Sequence, residues 1–184
     1  NFYSVQPVKN YTYFWDFGAG SVATLAQDTA ANPVGVTYTT PGAKTVQLTI
    51  SGPGGCTKTT PNIITINPLP SASFSNAASA CMDASVDFTN TGSTGIGIIY
   101  FWDFGAGASP ASSTAENPSD VTYSTAGIKT ITHTVTNNFA CVTTTTGTIT
   151  IAQTPVANFT STTPSCTADS VDFLNTGTTG ATYS

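Results

Sequence analysis

The chain repeats itself. Trp15-Asp16-Phe17-Gly18-Ala19-Gly20 returns as Trp102-Asp103-Phe104-Gly105-Ala106-Gly107. Asn32-Pro33 returns as Asn117-Pro118, Thr37-Tyr38 as Thr122-Tyr123, Gly42 as Gly127 and Cys56 as Cys141. A second set of landmarks follows, with Phe74 returning as Phe159, Cys81 as Cys166, and Val86-Asp87-Phe88 as Val171-Asp172-Phe173. The offset is 85 residues at most of these landmarks and 87 at the aromatic motif. A near-constant offset over so many landmarks means tandem units, each folding by itself while its neighbours set spacing and angle. Such an array is expected to be a piece of a rod or fibre.

The phase of the repeat divides the chain. Phe2 stands 13 residues before Trp15, as Phe88 stands 14 before Trp102, so residue 1 falls inside a unit. Residues 1–67 read as a partial unit lacking its first strand, 68–152 as a complete unit, and 153–184 as the first strands of a third. The expectation is a window on a longer chain or polymer. The rival is that the half-units are completed by strands from a neighbouring subunit. Either reading leads to a filament.

Composition narrows the class of partner. Only 7% of residues are charged, against roughly 25% in an average soluble domain. Four lysines and no arginine, with a net charge of −5, leave no basic footprint for phosphate neutralisation, so nucleic acid is not an expected partner. Polar surface must come from Ser, Asn and above all Thr, which makes up about a fifth of the chain. Thr is β-branched, favouring strands while presenting a hydroxyl. Sparse charge also weakens repulsion between like surfaces. No apolar run is long enough to span a bilayer as a helix. These features suit an extracellular β-protein.

Period-two alternation carries the fold prediction. Tyr100, Trp102 and Phe104 fall on one face of an extended segment, as do Tyr13, Trp15 and Phe17. Val46, Leu48 and Ile50 form a similar stripe, matched by Ile131, His133 and Val135, and Val86/Phe88 and Ile149/Ile151 form shorter ones. Turn signals such as Asn90-Thr91-Gly92 and Asn117-Pro118 lie between them. No segment shows a helical period with caps. Several short strands in about 85 residues, with a core Trp on a long one, describe an immunoglobulin-like β-sandwich. The fold class is all-β, with tandem sandwiches arranged as beads on a string.

Tyr-Phe-Trp-Asp-Phe-Gly, then Asn-Pro, Val-Thr-Tyr, Gly-x-Lys-Thr and a Thr/Ile-rich closing strand together resemble the PKD (polycystic kidney disease) domain. The pattern runs in register through the whole chain, with Trp15, Phe17, Trp102 and Phe104 as its core motif. The version with paired cysteines is similar to repeats in large surface and secreted proteins of Bacteroidota-like bacteria. The family usually carries Gly-Asp-Gly after the Phe, and here Ala19 and Ala106 replace that Asp. The resemblance therefore implies no metal site, and no cofactor is expected.

In the topology this resemblance implies, Cys81 and Cys166 lie before strand B, whereas Cys56 and Cys141 follow strand F, at the other end of the domain. Cys81 is then expected to pair with a cysteine of the following unit, and Cys141 with one of the preceding unit, stapling neighbours in an oxidising compartment. If strand A is displaced, a bond within one domain becomes the alternative. Zinc is disfavoured, because Cys-x-x-Cys spacing and clustered His are missing.

Catalytic chemistry is not expected. His133 stands where the preceding unit has Leu48 and reads as a half-buried strand residue. Asp16 and Asp103 end the aromatic strand and read as acceptors for the following turn. Asp87 and Asp172 point to a solvated face, and an isopeptide role for Lys44 or Lys129 is a minor alternative. Asn10-Tyr11-Thr12 and Asn158-Phe159-Thr160 fit an N-glycosylation pattern, while Thr29 and Ser170 lie in short Asp-Ser/Thr-apolar patterns suited to O-glycosylation.

The functional expectation is a structural segment of an extracellular filament, surface fibre or adhesin stalk, whose partners are copies of itself or adjacent repeats. Pro in the linkers Asn67-Pro68-Leu69-Pro70 and Gln153-Thr154-Pro155 limits hinge freedom. The alternative is a carbohydrate- or protein-binding module, or a spacer in a secreted multidomain protein. A repeated exposed aromatic platform would favour that alternative, and the repeated aromatics are expected to face the core instead. Tyr3 and Tyr11 have no clear counterpart in the second unit and are the residues to watch.

Overall fold

The computed structural model describes residues 11–22, 27–162, 167 and 170–179. All regular structure among them is β. Contacts divide the chain into Asn1–Leu69 and Pro70–Ser184, with the division inside the Pro-containing linker.

The first unit contains β1 (Thr12–Asp16), β2 (Ser21–Val22), β3 (Gln27–Asp28), β4 (Thr37–Tyr38), β5 (Gly42–Ser51) and β6 (Thr57–Ile66). Its main sheet runs β3-β1-β5-β6, all antiparallel, with β2 and β4 paired separately. The second unit opens with β7 (Phe74–Asn76), β8 (Ser79–Cys81), β9 (Phe88–Asn90), β10 (Ile99–Asp103), β11 (Ala108–Ser109) and β12 (Ser112–Ser113). It continues with β13 (Thr122–Tyr123), β14 (Gly127–Thr136), β15 (Val142–Ala152), β16 (Phe159–Ser161) and β17 (Phe173–Asn175). Here the main sheet runs β12-β10-β14-β15-β8.

The repeat in sequence is a repeat in register. Trp15 pairs with Leu48, and Leu48 with Thr60. Trp102 pairs with His133, and His133 with Thr145, at the corresponding places. Alternation then dictates which side chains share a face. In the second unit Tyr100, Trp102, Phe104, Ile131, His133, Val135, Ile149 and Ile151 all point inward and are buried.

A second layer closes that core. β7 and β9 pair antiparallel, with Phe74 opposite Asn90 and Asn76 opposite Phe88. Val86 bridges Val121, tying this layer to the segment before β13. The Phe74 ring meets Trp102 edge-on at 5.3 Å, and Phe88 lies 4.9 Å from Phe104. Each large ring removed from water contributes on the order of 1.5–3 kcal/mol, so this aromatic cluster is the centre of stability of the unit.

His133 departs from its expected half-burial. It is fully buried, because the β7 layer covers it and Trp102 stacks on it at 3.7 Å. Its Nδ1 lies 3.2 Å from the Ala72 carbonyl, which can only accept, so Nδ1 carries the proton. Nε2 is buried without a hydrogen-bond partner. Burial lowers the pKa of this imidazole, outweighing the Ala72 bond, which acts the other way.

Candidate functional site

The most elaborated local structure is the turn after the aromatic strand, and both units build it alike. Asp16 Oδ1 accepts the Gly18 N–H at 2.8 Å, and Asp103 Oδ1 accepts the Gly105 N–H at 2.9 Å. These carboxylates organise turns, as their position at the strand end suggests. Gly18 and Gly105 have φ of +74° and +78°, and a Cβ there would lie 2.7 Å from the carbonyl oxygen of Thr45 or Thr130. Left-handed backbone and close approach together require glycine.

Three further bonds lock each motif. The indoles of Trp15 and Trp102 donate to the carbonyls of Ala30 and Ala115, at 3.0 and 2.9 Å. Tyr38 and Tyr123 donate their hydroxyls to the carbonyls of Phe17 and Phe104, both at 3.0 Å. Lys44 and Lys129 donate to the hydroxyls of Thr40 and Thr125, each ammonium 6.0 Å from the face of the neighbouring tyrosine. Burial, with the Asp103 charge second, pushes the Tyr123 phenol up to about 12. These polar groups brace the turn and the strands beside it in both units.

The two inner faces differ in cover. In the first unit an open apolar groove of about 450 Å³ runs over Trp15, Leu48 and Ile64, with Val36 and Val46 also lining it. Trp15, Leu48 and Ile64 are half-buried, whereas their counterparts Trp102, His133 and Ile149 are fully buried.

On the outer faces the expectation that repeated aromatics all point inward is corrected. Phe14 and Phe101 occupy equivalent places and are 40% and 49% exposed. Strand pairing sets Phe14 opposite Thr49, which is itself opposite Thr59, and Phe101 opposite Thr134, which is opposite Thr144. The threonine hydroxyls bond to each other at 2.8 Å in the first unit and 3.1 Å in the second. Period two contains the signal: with Trp15 inward, Phe14 must point out.

Cys56, Cys81 and Cys141 are free thiols, and Cys166 lies outside the described residues. Cys81 is paired with Ala152 at the end of β15, and Cys141 immediately precedes its start. Eleven residues of strand separate them by on the order of 30 Å. The alternative of a bond between these two within the unit is therefore corrected by strand length.

Thr29 and Ser170 are exposed, as are Asn158, Phe159 and Thr160. Tyr11 is also exposed, and Tyr3 and Asn10 lie outside the described residues. Asp87 and Asp172 are exposed as expected, and Asp87 accepts the Asp120 N–H at 3.1 Å. Among the described residues no three His, Cys, Asp or Glu side chains gather as metal ligands. No described helix is long and apolar enough to cross a membrane.

The architecture is all-β and immunoglobulin-like. Residues 1–65 match the family described as PKD domain, so the chain contains a PKD-type domain. Among solved structures, the chain is similar to the fibronectin(III)-like modules of Clostridium thermocellum CbhA at 12% identity, over 77% of this chain and 78% of that one, with a TM-score of 0.33. It is also similar to murine CEACAM1b at 13% identity, over 80% and 88% of the two chains, with a TM-score of 0.30. No curated protein matches the sequence.

Proposed function

We propose that this chain is a structural segment of an extracellular filament or cell-surface fibre, made of tandem PKD-type sandwiches and performing no catalysis. A PKD-type domain is a structural or binding module, and the observation that supports the structural choice is the recurrence of one hydrogen-bonded unit. The same indole, tyrosine, aspartate and lysine bonds hold both Trp15 and Trp102. A chain that duplicates its packing in this way repeats a building block. Its partners are copies of itself or adjacent repeats, and its mechanism is mechanical, with sandwich length and linker stiffness setting reach. Cys81 and Cys141, at opposite ends of β15, suit staples to the following and preceding units in an oxidising compartment. Thr29 and Ser170 are accessible to O-glycosylation.

One observation favours a second reading as a binding or spacer module. Phe14 and Phe101 repeat an exposed ring within a threonine strip, although one ring per unit is a small platform. Electron microscopy of the native material without reductant separates the readings. Continuous fibres with an axial repeat of one or two domain lengths, weakened by reductant, support the structural role and its staples. Discrete beaded particles overturn it in favour of the spacer.

A further inference from the structure

The outer face of the second unit carries a regular grid of hydroxyls. Along β14 every second residue from Thr130 to Thr136 is threonine, and along β15 every second residue from Thr144 to Thr150. These are the outward positions, since the residues between them include the buried Ile131, His133, Val135 and Ile149. Antiparallel pairing sets Thr130 opposite Thr148, Thr132 opposite Thr146 and Thr134 opposite Thr144. Thr130, Thr144, Thr146 and Thr148 are exposed, and Thr132 and Thr134 are half-buried.

Strand geometry fixes the spacing. Neighbouring rows stand roughly 6.6–6.8 Å apart, twice the rise per residue, and the two columns about 4.8 Å apart. β-Branching restricts each χ1, so the array is ordered before anything binds to it. Thr134 and Thr144 bond hydroxyl to hydroxyl at 3.1 Å. A hydroxyl has one donor and two acceptor sites, so such a pair still offers both to water.

No charged side chain stands within the grid, although a solvated face ordinarily mixes both signs of charge among its polar groups. Asp103, opposite Thr132 on the next strand, turns its carboxylate back to the Gly105 N–H at 2.9 Å. β-Propensity accounts for threonine on a strand, but not for its confinement to this unit. The corresponding face of the first unit is broken, with Gln47 opposite Pro61 and Thr45 opposite Ile63.

An evenly spaced, uncharged array of hydroxyls and methyls is matched row by row only by a partner with a repeat of its own. Liquid water, a folded protein and a flexible glycan have none at this spacing, whereas water oxygens on a face of ice repeat at close to both distances. We propose that the outer face of β14 and β15 binds the surface of ice. The hydroxyls take places in the first water layer, and the methyls sit in the hollows between them. A sheet twists by about 20–25° from strand to strand, which confines the match to these two columns and makes adsorption weak per chain. The site needs no neighbouring copy, so it stands apart from the filament reading.

Ice-affinity partitioning of the full chain tests this, because it registers weak adsorption. A dilute solution is frozen slowly onto a cold finger, and protein is measured in the ice and in the remaining liquid. The unaltered chain is expected to be enriched in the ice several-fold over an inert protein of similar mass. Thr146→Lys, in the middle row, should fall to the level of that inert protein. Thr59→Lys, on the broken face of the first unit, should partition like the unaltered chain. Near-ultraviolet circular dichroism of the buried Trp102 reports whether the second unit is folded, and Thr144→Lys, in an end row, serves if the middle row does not tolerate lysine.

Exclusion of the unaltered chain from ice, or undiminished enrichment of a folded lysine variant of the grid, overturns the proposal. Retention on microcrystalline cellulose or chitin that Thr146→Lys abolishes, without enrichment in ice, also overturns it and assigns the grid to a crystalline polysaccharide.

Discussion

Trp15 and Trp102 sit in near-identical frameworks and differ in burial. Each is stacked near a phenylalanine with ring centroids 6.3 Å apart, and each donates its indole N–H to an alanine carbonyl. Trp102 is fully buried, however, while Trp15 is only half-buried. The sheet motif therefore places the tryptophan, and the β7–β9 layer buries it. Local hydrogen bonds and core closure are separable in this fold, because the first come from neighbouring strands and the second from a layer distant in sequence.

The strongest way to break the comparison is to make the second unit resemble the first. Phe88→Ala should cost about 3–5 kcal/mol, the usual penalty for emptying a buried phenylalanine site. Urea unfolding should show the loss, with Trp102 emission moving to the red; an unchanged midpoint would mean that the β7–β9 layer is not what closes the core.

The next effect is specific to His133. Its pKa is lowered in the fold, so below about 6.5 the unfolded chain binds a proton that the folded chain refuses, and stability rises with pH in that window. The slope should approach about 1.4 kcal/mol per pH unit, ending at the depressed folded pKa. Melting of the chain and of His133→Leu across this range tests it. Leucine, the residue at position 48 of the first unit, should flatten the profile.

A smaller and symmetric effect is expected at the turns. Asp16→Ala and Asp103→Ala each remove one bond to a glycine N–H and should each cost about 1 kcal/mol. Unequal costs by denaturant titration would show that closure reaches the turn. The smallest change belongs to the outer strip. Thr134→Ala should alter stability by no more than about 0.5 kcal/mol, and a larger loss in melting would give the threonine ladder a structural weight.

Much of this was legible from spacing. Trp102, Phe104 and Ile131 were placed in the core because period-two alternation survives wherever one sheet face is buried. The turn role of Asp103 was legible because a carboxylate at a strand end before Gly has a backbone N–H within reach. Phe101 is exposed because alternation turns the middle member of the aromatic run to the face opposite Tyr100 and Trp102. The depth of His133 was not legible, since it depends on Ala72 and Phe74, some sixty residues away in the chain. The groove was hidden for the same reason, because an uncovered apolar face and a covered one have the same alternation.

By itself the sequence determined the period, the strands, the turn chemistry and which face of each strand is apolar, because these are set by residues within a few positions of one another. Only the tertiary structure decided which apolar faces are closed and how deeply His133 lies. Those outcomes depend on pairing between distant segments, and the side-chain pattern of one strand carries no record of what packs against it.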